Sequence, residues 1–272
     1  MQASRVWSAP TGTLGGLVAS AHQRAERLET RRPQLEEGAR RAPAAPSLRE
    51  ALRREHVAVL AEVKRRSPSK GWIKPGLSAP DQAAAYERGG AAAISVLTEP
   101  DHFGGSASDI SAVRGQCGLP ILQKDFHVAP IQLLEARANG ASAALLIARA
   151  LSPDLLQTML EFARGLQLET LVEVRDAEEL ELALSLGANL VGINNRNLET
   201  LEIDPGNAVQ LLPLIPSGVV AVAESGVVGR ADVEAAAAAG ADAVLVGSSI
   251  SAASDPVAAV RALSTVARVA RR

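Results

Sequence analysis

The 272-residue chain has one cysteine, Cys117, so neither an internal disulfide nor a cysteine-based zinc cluster can form. Its four histidines are scattered without ligand spacing, which argues against a metal site. Aromatic residues are scarce, and three Phe, two Trp and one Tyr cannot build a stacking platform for single-stranded nucleic acid. Neither sign of charge is in excess. Lys and Arg number 28 against 30 Asp and Glu, a formal charge of −2 that removes the counterion-release drive toward nucleic acid. No run approaches about eighteen consecutive apolar residues, so no membrane span is expected. The opening, MQASRVWSAPTGTLGGLVAS, breaks its apolar stretch with Gly and Ser where a signal-peptide core would be continuous. The sequence therefore reads as cytoplasmic.

What is present is a hydrophobic fraction of 47%, enough to bury a full core. Residues 20–41 are dense in both charge signs and broken by Pro33, which predicts surface helix in one or two pieces, read as a solvated flank. APAAPS at 42–47 reads as a connector, which divides the chain into an N-terminal helical extension, 1–47, and a main domain, 48–272. Within the main domain eight short apolar runs alternate with segments suited to helices: 57–64, 91–98, 120–125, 143–148, 169–174, 190–194, 218–224 and 242–248. These runs are continuously apolar, as in strands buried on both faces of a parallel sheet.

Four segments share one pattern, GGAAAISVL, NGASAALLI, LGANLVGIN and AGADAVLVG, in which Gly-Ala closes a helix before an apolar strand. Their second glycines, Gly90, Gly140, Gly187 and Gly240, recur at intervals of 50, 47 and 53 residues, before every second strand. A solenoid would repeat at the length of one unit, roughly 20–45 residues. An open doubly wound sheet would need a dinucleotide fingerprint after its first strand, and none is there. Eight strand–helix units therefore predict an α/β fold, a single (β/α)8 TIM barrel preceded by the helical extension.

In such a barrel the active-site groups sit at the carboxyl ends of the strands. There the apolar rule is repeatedly broken. The first run ends in Glu62 and Lys64, two residues apart and so on one face. The third ends in Lys124-Asp125, the fifth carries Glu173 between valines, the sixth runs into Asn194-Asn195-Arg196, and the seventh ends in Glu224-Ser225. A charge buried without partners costs several kcal/mol, so five polar strand ends point to one convergent site. After the last two strands come AESGVVGR (223–230) and LVGSSISAAS (245–254), Gly/Ser turns leading to helices at the barrel position that commonly holds phosphate. The first connection, 65–80, is long for a barrel loop and offers Ser67, Lys70 and Lys74 to an anion, with Trp72 as a lid contact or as packing. His102, His127 and Cys117 have no visible partner and read as structural.

AEVKRRSPSKG (61–71), ISVLTEPDHFGGS (94–106), ILQKDF (121–126), LVEV (171–174), GINNRNL (192–198), AESG (223–226) and LVGSS (245–249) together resemble the successive signature segments of the indole-3-glycerol phosphate synthase family. The match spans about residues 48–262, and the charged N-terminal segment is similar to the extra helices which that family places before its barrel. The resemblance implies ring closure of 1-(2-carboxyphenylamino)-1-deoxyribulose 5-phosphate to indole-3-glycerol phosphate, with loss of carbon dioxide and water, in tryptophan biosynthesis. By resemblance Lys124 is the acid that protonates the developing alkoxide, and Lys64 is a second acid or a carboxylate partner. Glu173 stabilises the cationic nitrogen and later accepts a proton, and Glu62 assists dehydration. The resemblance also places Asn194, Arg196, Glu224 and Ser225 on the sugar hydroxyls and charged network, and Ser67 with the amides around Gly226, Gly247 and Ser248 on the phosphate. Phe103 and Phe126 fall near the aryl ring. It implies no cofactor, because the substrate's own iminium serves as electron sink. The partners it implies are the small phosphorylated substrate and other tryptophan-pathway enzymes, with no nucleic acid and no membrane.

Gln123, Arg175 and Ser248 depart from the family's frequent Arg or Met, His and Glu, and none of the three removes a catalytic group. Phosphoribosylanthranilate isomerase, also a phosphate-binding barrel, has a catalytic Cys where this chain has Glu62-Val63-Lys64. A barrel reduced to a sensor or assembly partner would be expected to lack one of the acid/base residues, and all of them are present.

Overall fold

A computed structural model describes residues 7–271. The part of the opening-segment reading that rests on residues 1–6 lies outside them. Two helices come first, α1 (Gly12–Glu29) and α2 (Arg32–Arg41), followed by the short α3 (Leu48–Ala51). The chain continues through β1 (Ala58–Val63), β2 (Arg66–Ser67), β3 (Gly71–Trp72), α4 (Ala79–Arg88), β4 (Ala93–Leu97), α5 (Pro100–Phe103) and α6 (Ser108–Arg114). Next are β5 (Ile121–Lys124), α7 (Pro130–Ala138), β6 (Ala143–Ile147), α8 (Pro153–Gly165), β7 (Glu169–Val174), α9 (Ala177–Ser185) and β8 (Leu190–Asn194). The last elements are α10 (Gly206–Leu211), β9 (Val220–Glu224), α11 (Arg230–Ala238), β10 (Ala243–Val246), α12 (Ser248–Ser251) and α13 (Pro256–Leu263).

Eight strands close a parallel barrel in the order β1-β10-β9-β8-β7-β6-β5-β4, with β1 pairing both β10 and β4. Each apolar run supplies one strand, slightly trimmed: the run at 218–224 becomes β9 only from Val220, because 217–219 form a turn closed by Val219 N–H donating to the Pro216 carbonyl. All residues of β1, β4, β6, β8, β9 and β10 are buried, as strands sandwiched between barrel interior and outer helices must be. Helix starts are chemically marked. Ser78, Ser152, Asp176 and Asp255 each accept a backbone N–H of the first turn of the helix they precede, worth about 1 kcal/mol apiece. The four repeat glycines all take positive φ, between 78° and 94°, the left-handed turn that ends a helix before the next strand.

The N-terminal helices are more than a solvated flank. Leu14, Leu17 and Ala21 join the main core, while Ala25 packs with Leu35, Ala39, Ile131 and Leu134. These α1 positions form one stripe at helical spacing that begins before residue 20, outside the charged segment on which the flank reading rests. Arg24 leaves the same helix to pair with Glu99 at 3.3 Å and Asp125 at 2.6 Å.

The long first connection contains an unforeseen hairpin, β2 against β3, with Arg66 opposite Trp72. No apolar alternation announces it. Trp72 is exposed, lies 5.7 Å from the Arg66 guanidinium and covers Gly104, so it acts as packing between two loops. At the opposite end of the barrel the C-terminal segment straps the floor. Val57 donates to Val266, Arg268 to Glu55, and Asp242 pairs with both Arg268 (2.6 Å) and Arg271 (2.7 Å). Cys117 is buried, and His127 is buried with Nδ1 2.8 Å from the Leu145 carbonyl. Among the described residues no helix is long and apolar enough to cross a membrane. No group of three or more His, Cys, Asp or Glu side chains among them is placed to hold a metal ion.

Candidate active site

The carboxyl ends of the strands open into a cavity of about 400 Å³, within the range typical of small-molecule sites. The fourteen residues to which the family resemblance gives a role all line it: Glu62, Lys64, Ser67, Phe103, Lys124, Phe126, Glu173, Asn194, Arg196, Glu224, Ser225, Gly226, Gly247 and Ser248. They come together because each strand delivers its last inward-facing residue to the same level. Lys124, Asn194 and Glu224 are the final residues of β5, β8 and β9, and Glu62 and Glu173 are the penultimate residues of β1 and β7.

At the centre Lys124 Nζ donates to Glu173 Oε2 at 3.0 Å and to Glu224 Oε2 at 3.1 Å. Asn194, the register partner of Glu224, donates from Nδ2 to Glu173 Oε1 at 2.8 Å. Lys64 Nζ lies 3.3 Å from Glu62 Oε1 and 5.7 Å from the centre of the Phe103 ring. Glu62, Glu173 and Glu224 are 2%, 2% and 1% exposed, so solvent screens these charges little. Burial alone would lower the Lys124 pKa, but Glu173, Glu224 and Glu62 outweigh it and hold its ammonium above the ordinary lysine value. Burial opposes ionisation of Glu173 too, yet Lys124 and Asn194 prevail and keep its carboxyl below the usual range. For Glu224 burial prevails. Helped by the nearby Glu173 charge and opposed by Lys124, it pushes the carboxyl up to about 8.

The two sides of the cavity differ. Near β4, β5 and β6 the wall is mostly apolar, with Leu97, Phe103, Phe126, Leu145 and Ile147 joined by Leu17 of α1, and Asp125 beside Lys124 is the charged exception. Phe103 and Phe126 lie 6.3 Å apart at 37°. Near β1, β9 and β10 it is lined by Ser67, Lys70, Ser225, Gly226, Gly247, Ser248 and Ser249. Ser225 and Gly226 are consecutive left-handed residues, φ 64° and 90°, a strained turn for a serine at the end of β9. Ser67 Oγ accepts the Lys70 amide at 3.2 Å. Lys74, offered by sequence to the same anion, lies elsewhere, beside Pro75 and Asp81 past the hairpin. The Arg196 guanidinium donates to the Leu201 carbonyl at 2.7 Å. Of the three departures from the family pattern only Ser248 faces the cavity; Gln123 points away and donates to Thr98 Oγ1 at 3.3 Å.

Several contributors were not visible in the linear pattern. A Cβ added at Gly192 would overlap Glu224 Oε1, and one at Gly247 would overlap Glu62 Oε1. Both glycines therefore make room for buried carboxylates, and Gly247 does so in addition to lining the Gly/Ser side. Gly192 had a readable signal, a glycine inside a strand run, which marks close approach. Tyr86 and Ser251 hold the Glu62 carbonyl from outside the barrel, at 3.3 and 3.0 Å. Asp125 accepts from Arg24, Thr98 and the Phe126 amide, and Glu99 accepts the Asp101, His102 and Phe103 amides that start α5. Arg24 thus ties α1 to the loop beside Lys124 and to the short helix bearing Phe103, a long-range link without local signature.

The family model for indole-3-glycerol phosphate synthase matches residues 15–263. An indole-3-glycerol phosphate synthase of Mycolicibacterium vanbaalenii is 48% identical over 232 residues, 85% of either chain. One from Streptomyces griseus subsp. griseus is 48% identical over 247 residues, 91% of either chain. Among solved structures, a 3-hexulose-6-phosphate synthase superposes with a TM-score of 0.62 at 17% identity, covering 78% of this chain and 100% of its own. That last likeness is one of fold.

Proposed function

This chain belongs to the indole-3-glycerol phosphate synthase family, and on that premise we propose how its residues divide the work of closing the indole ring with loss of carbon dioxide and water. The substrate is 1-(2-carboxyphenylamino)-1-deoxyribulose 5-phosphate. Its phosphate lies against Ser67, Gly226, Gly247 and Ser248, and its carboxyphenyl ring lies against Phe103 and Phe126. This orientation bridges the cavity and brings the ketone to Lys124.

As the aryl carbon attacks the ketone, negative charge grows on oxygen, and Lys124 delivers the proton that quenches it. An ammonium donor suits this task because its surrounding carboxylates keep it charged. Positive charge meanwhile gathers on the aniline nitrogen, where ionised Glu173 stabilises it and later accepts the proton released when the ring becomes aromatic. Asn194 fixes Glu173 for both tasks. Lys64 faces the substrate carboxylate or acts as a second acid, Glu62 assists loss of the hydroxyl, and Arg196, Glu224 and Ser225 orient the sugar chain. Decarboxylation draws its electrons into the substrate's own iminium, so the proposal includes no cofactor. The chain divides into the extension, 1–47, and the barrel, 48–272, and works in the cytoplasm among other tryptophan-pathway enzymes.

The observation that carries this reading is the hydrogen-bonded row Asn194–Glu173–Lys124–Glu224, an ionised base and a charged acid held side by side at a cavity mouth. Its test is Glu173→Gln, which keeps the shape and loses the base. The expected result is a kcat lower by about 10²–10⁴-fold with KM little changed. A kcat near wild type would remove Glu173 from its role.

A further inference from the structure

Two ammonium groups, Lys64 and Lys124, face three carboxyls, Glu62, Glu173 and Glu224. With each group in its ordinary state this buried cluster carries one surplus negative charge, an arrangement that low dielectric strongly disfavours. A single proton removes the surplus. The pattern of donors singles out the carboxyl least able to stay charged. Glu173 is satisfied on both oxygens, by Lys124 and Asn194, and Glu62 faces Lys64. Among the described residues Glu224 accepts from Lys124 alone, and its Oε1 is enclosed without a partner, against the Gly192 backbone. Its register neighbours are Asn194 on β8, which spends its amide on Glu173, and apolar Leu245 on β10. The Arg196 guanidinium is turned to the Leu201 carbonyl.

The reaction needs such a spare proton. Ring closure protonates the ketone oxygen, dehydration protonates the departing hydroxyl, and one C–H proton comes back to a carboxylate. Two protons are given for one recovered, the difference matching the substrate carboxylate that leaves as neutral carbon dioxide. We propose that Glu224 rests as a neutral carboxylic acid and reloads Lys124 with a proton between the two acid steps of a turnover, an inference that rests on Lys124 being the acid.

In the first step an N–H bond of Lys124 breaks as an O–H bond forms on the substrate. Lys124, now a neutral amine, no longer donates to Glu224 Oε2, so the carboxyl turns its O–H to the amine; that O–H bond breaks, its electron pair staying on oxygen, and a new N–H bond forms on Lys124. Lys124 donates again to the leaving hydroxyl, and Glu173 takes the C–H proton. To reset the cluster, the Glu173 proton passes to Lys124 and one proton from water returns to Glu224. Burial raises the Glu224 carboxyl to about 8, in keeping with a group that holds its proton at neutral pH and still yields it.

The test is infrared difference spectroscopy of the resting protein with pH–rate profiles, for wild type and Glu224→Gln. Wild type should show a carboxylic-acid carbonyl band that disappears as pH rises through about 8 and is missing from Glu224→Gln. Glu179, also raised, to about 7, gives a band of its own that stays in the variant. Wild-type kcat should fall about tenfold per pH unit above that point, a limb that Glu224→Gln lacks while turning over more slowly at every pH. If Glu224→Gln does not fold, Glu224→Asp should shift the band instead of deleting it. A wild-type spectrum without a band assignable to position 224 overturns the proposal whatever the turnover. An unchanged high-pH limb in Glu224→Gln assigns the second proton to another group, such as Lys64, and overturns it as well. Loss of turnover in Lys124→Ala is a separate matter that tests the acid assignment alone.

Discussion

Replacing Gly192 by alanine adds one methyl group at the point where β8 passes beneath Glu224. The new carbon would stand 3.0 Å from the Glu224 carboxyl carbon and overlap its Oε1. Strand β8 is hydrogen-bonded on both sides, to β7 and β9, so it cannot yield easily and the carboxyl must move. Restoring ordinary contact takes a shift of more than about 1 Å at Oε1, which breaks the 3.1 Å bond to Lys124. Misplacement of that size in a catalytic array costs about 10²-fold in rate. Crowding of a packed interior adds about 1–3 kcal/mol of destabilisation, or a fall in Tm of a few degrees for a domain of this size, at roughly 2–4 °C per kcal/mol. Steady-state kinetics with circular-dichroism melting reads both effects. Near-normal kcat with a native melt in Gly192→Ala would mean that Glu224 does not depend on the space that Gly192 leaves.

Arg24→Ala removes the partner of Glu99 and Asp125 but leaves each carboxylate its other donors. The loss should therefore be about 1.5–3 kcal/mol, seen in chemical denaturation, with kcat reduced through displacement of Lys124 and Phe103. At the other end of the barrel, Asp242→Asn leaves the Arg271 side chain, only 4% exposed, without its charge partner. It should cost about 3 kcal/mol of stability while kcat stays at the wild-type value. Glu179, raised by burial from 4.5 to about 7, binds its proton more tightly in the folded state. It thus contributes stability that is complete below its unfolded pKa and lost as pH rises through about 7. Glu179→Gln should flatten the Tm-against-pH curve across that window. Glu224 acts in the same direction, so some slope should remain.

The barrel was legible because a buried parallel strand is written locally, as a short apolar run, and because the helix-ending glycine recurs at nearly constant spacing. The polar site was legible for a related reason, since Glu62, Lys124, Glu173 and Glu224 interrupt runs that are otherwise apolar. What escaped depends on closure of the barrel. No local pattern joins Arg24 to Asp125 across about a hundred positions, or tells Lys70, which reaches the cavity, from Lys74, which does not. Gly192 and Gly247 read in sequence as a strand glycine and a turn glycine. Their shared task of seating a carboxylate from the adjacent strand appears only when β8 lies beside β9 and β10 beside β1.

Lys124 as the acid of ring closure is the role on which the others depend. The measurement is single-turnover formation of indole-3-glycerol phosphate, followed by indole fluorescence with no cofactor added, in wild type and Lys124→Ala side by side. Wild type should form product, and the variant should do so at a rate at least about 10²-fold lower, with the circular-dichroism spectrum unchanged. Product formation by Lys124→Ala at close to the wild-type rate would contradict that role.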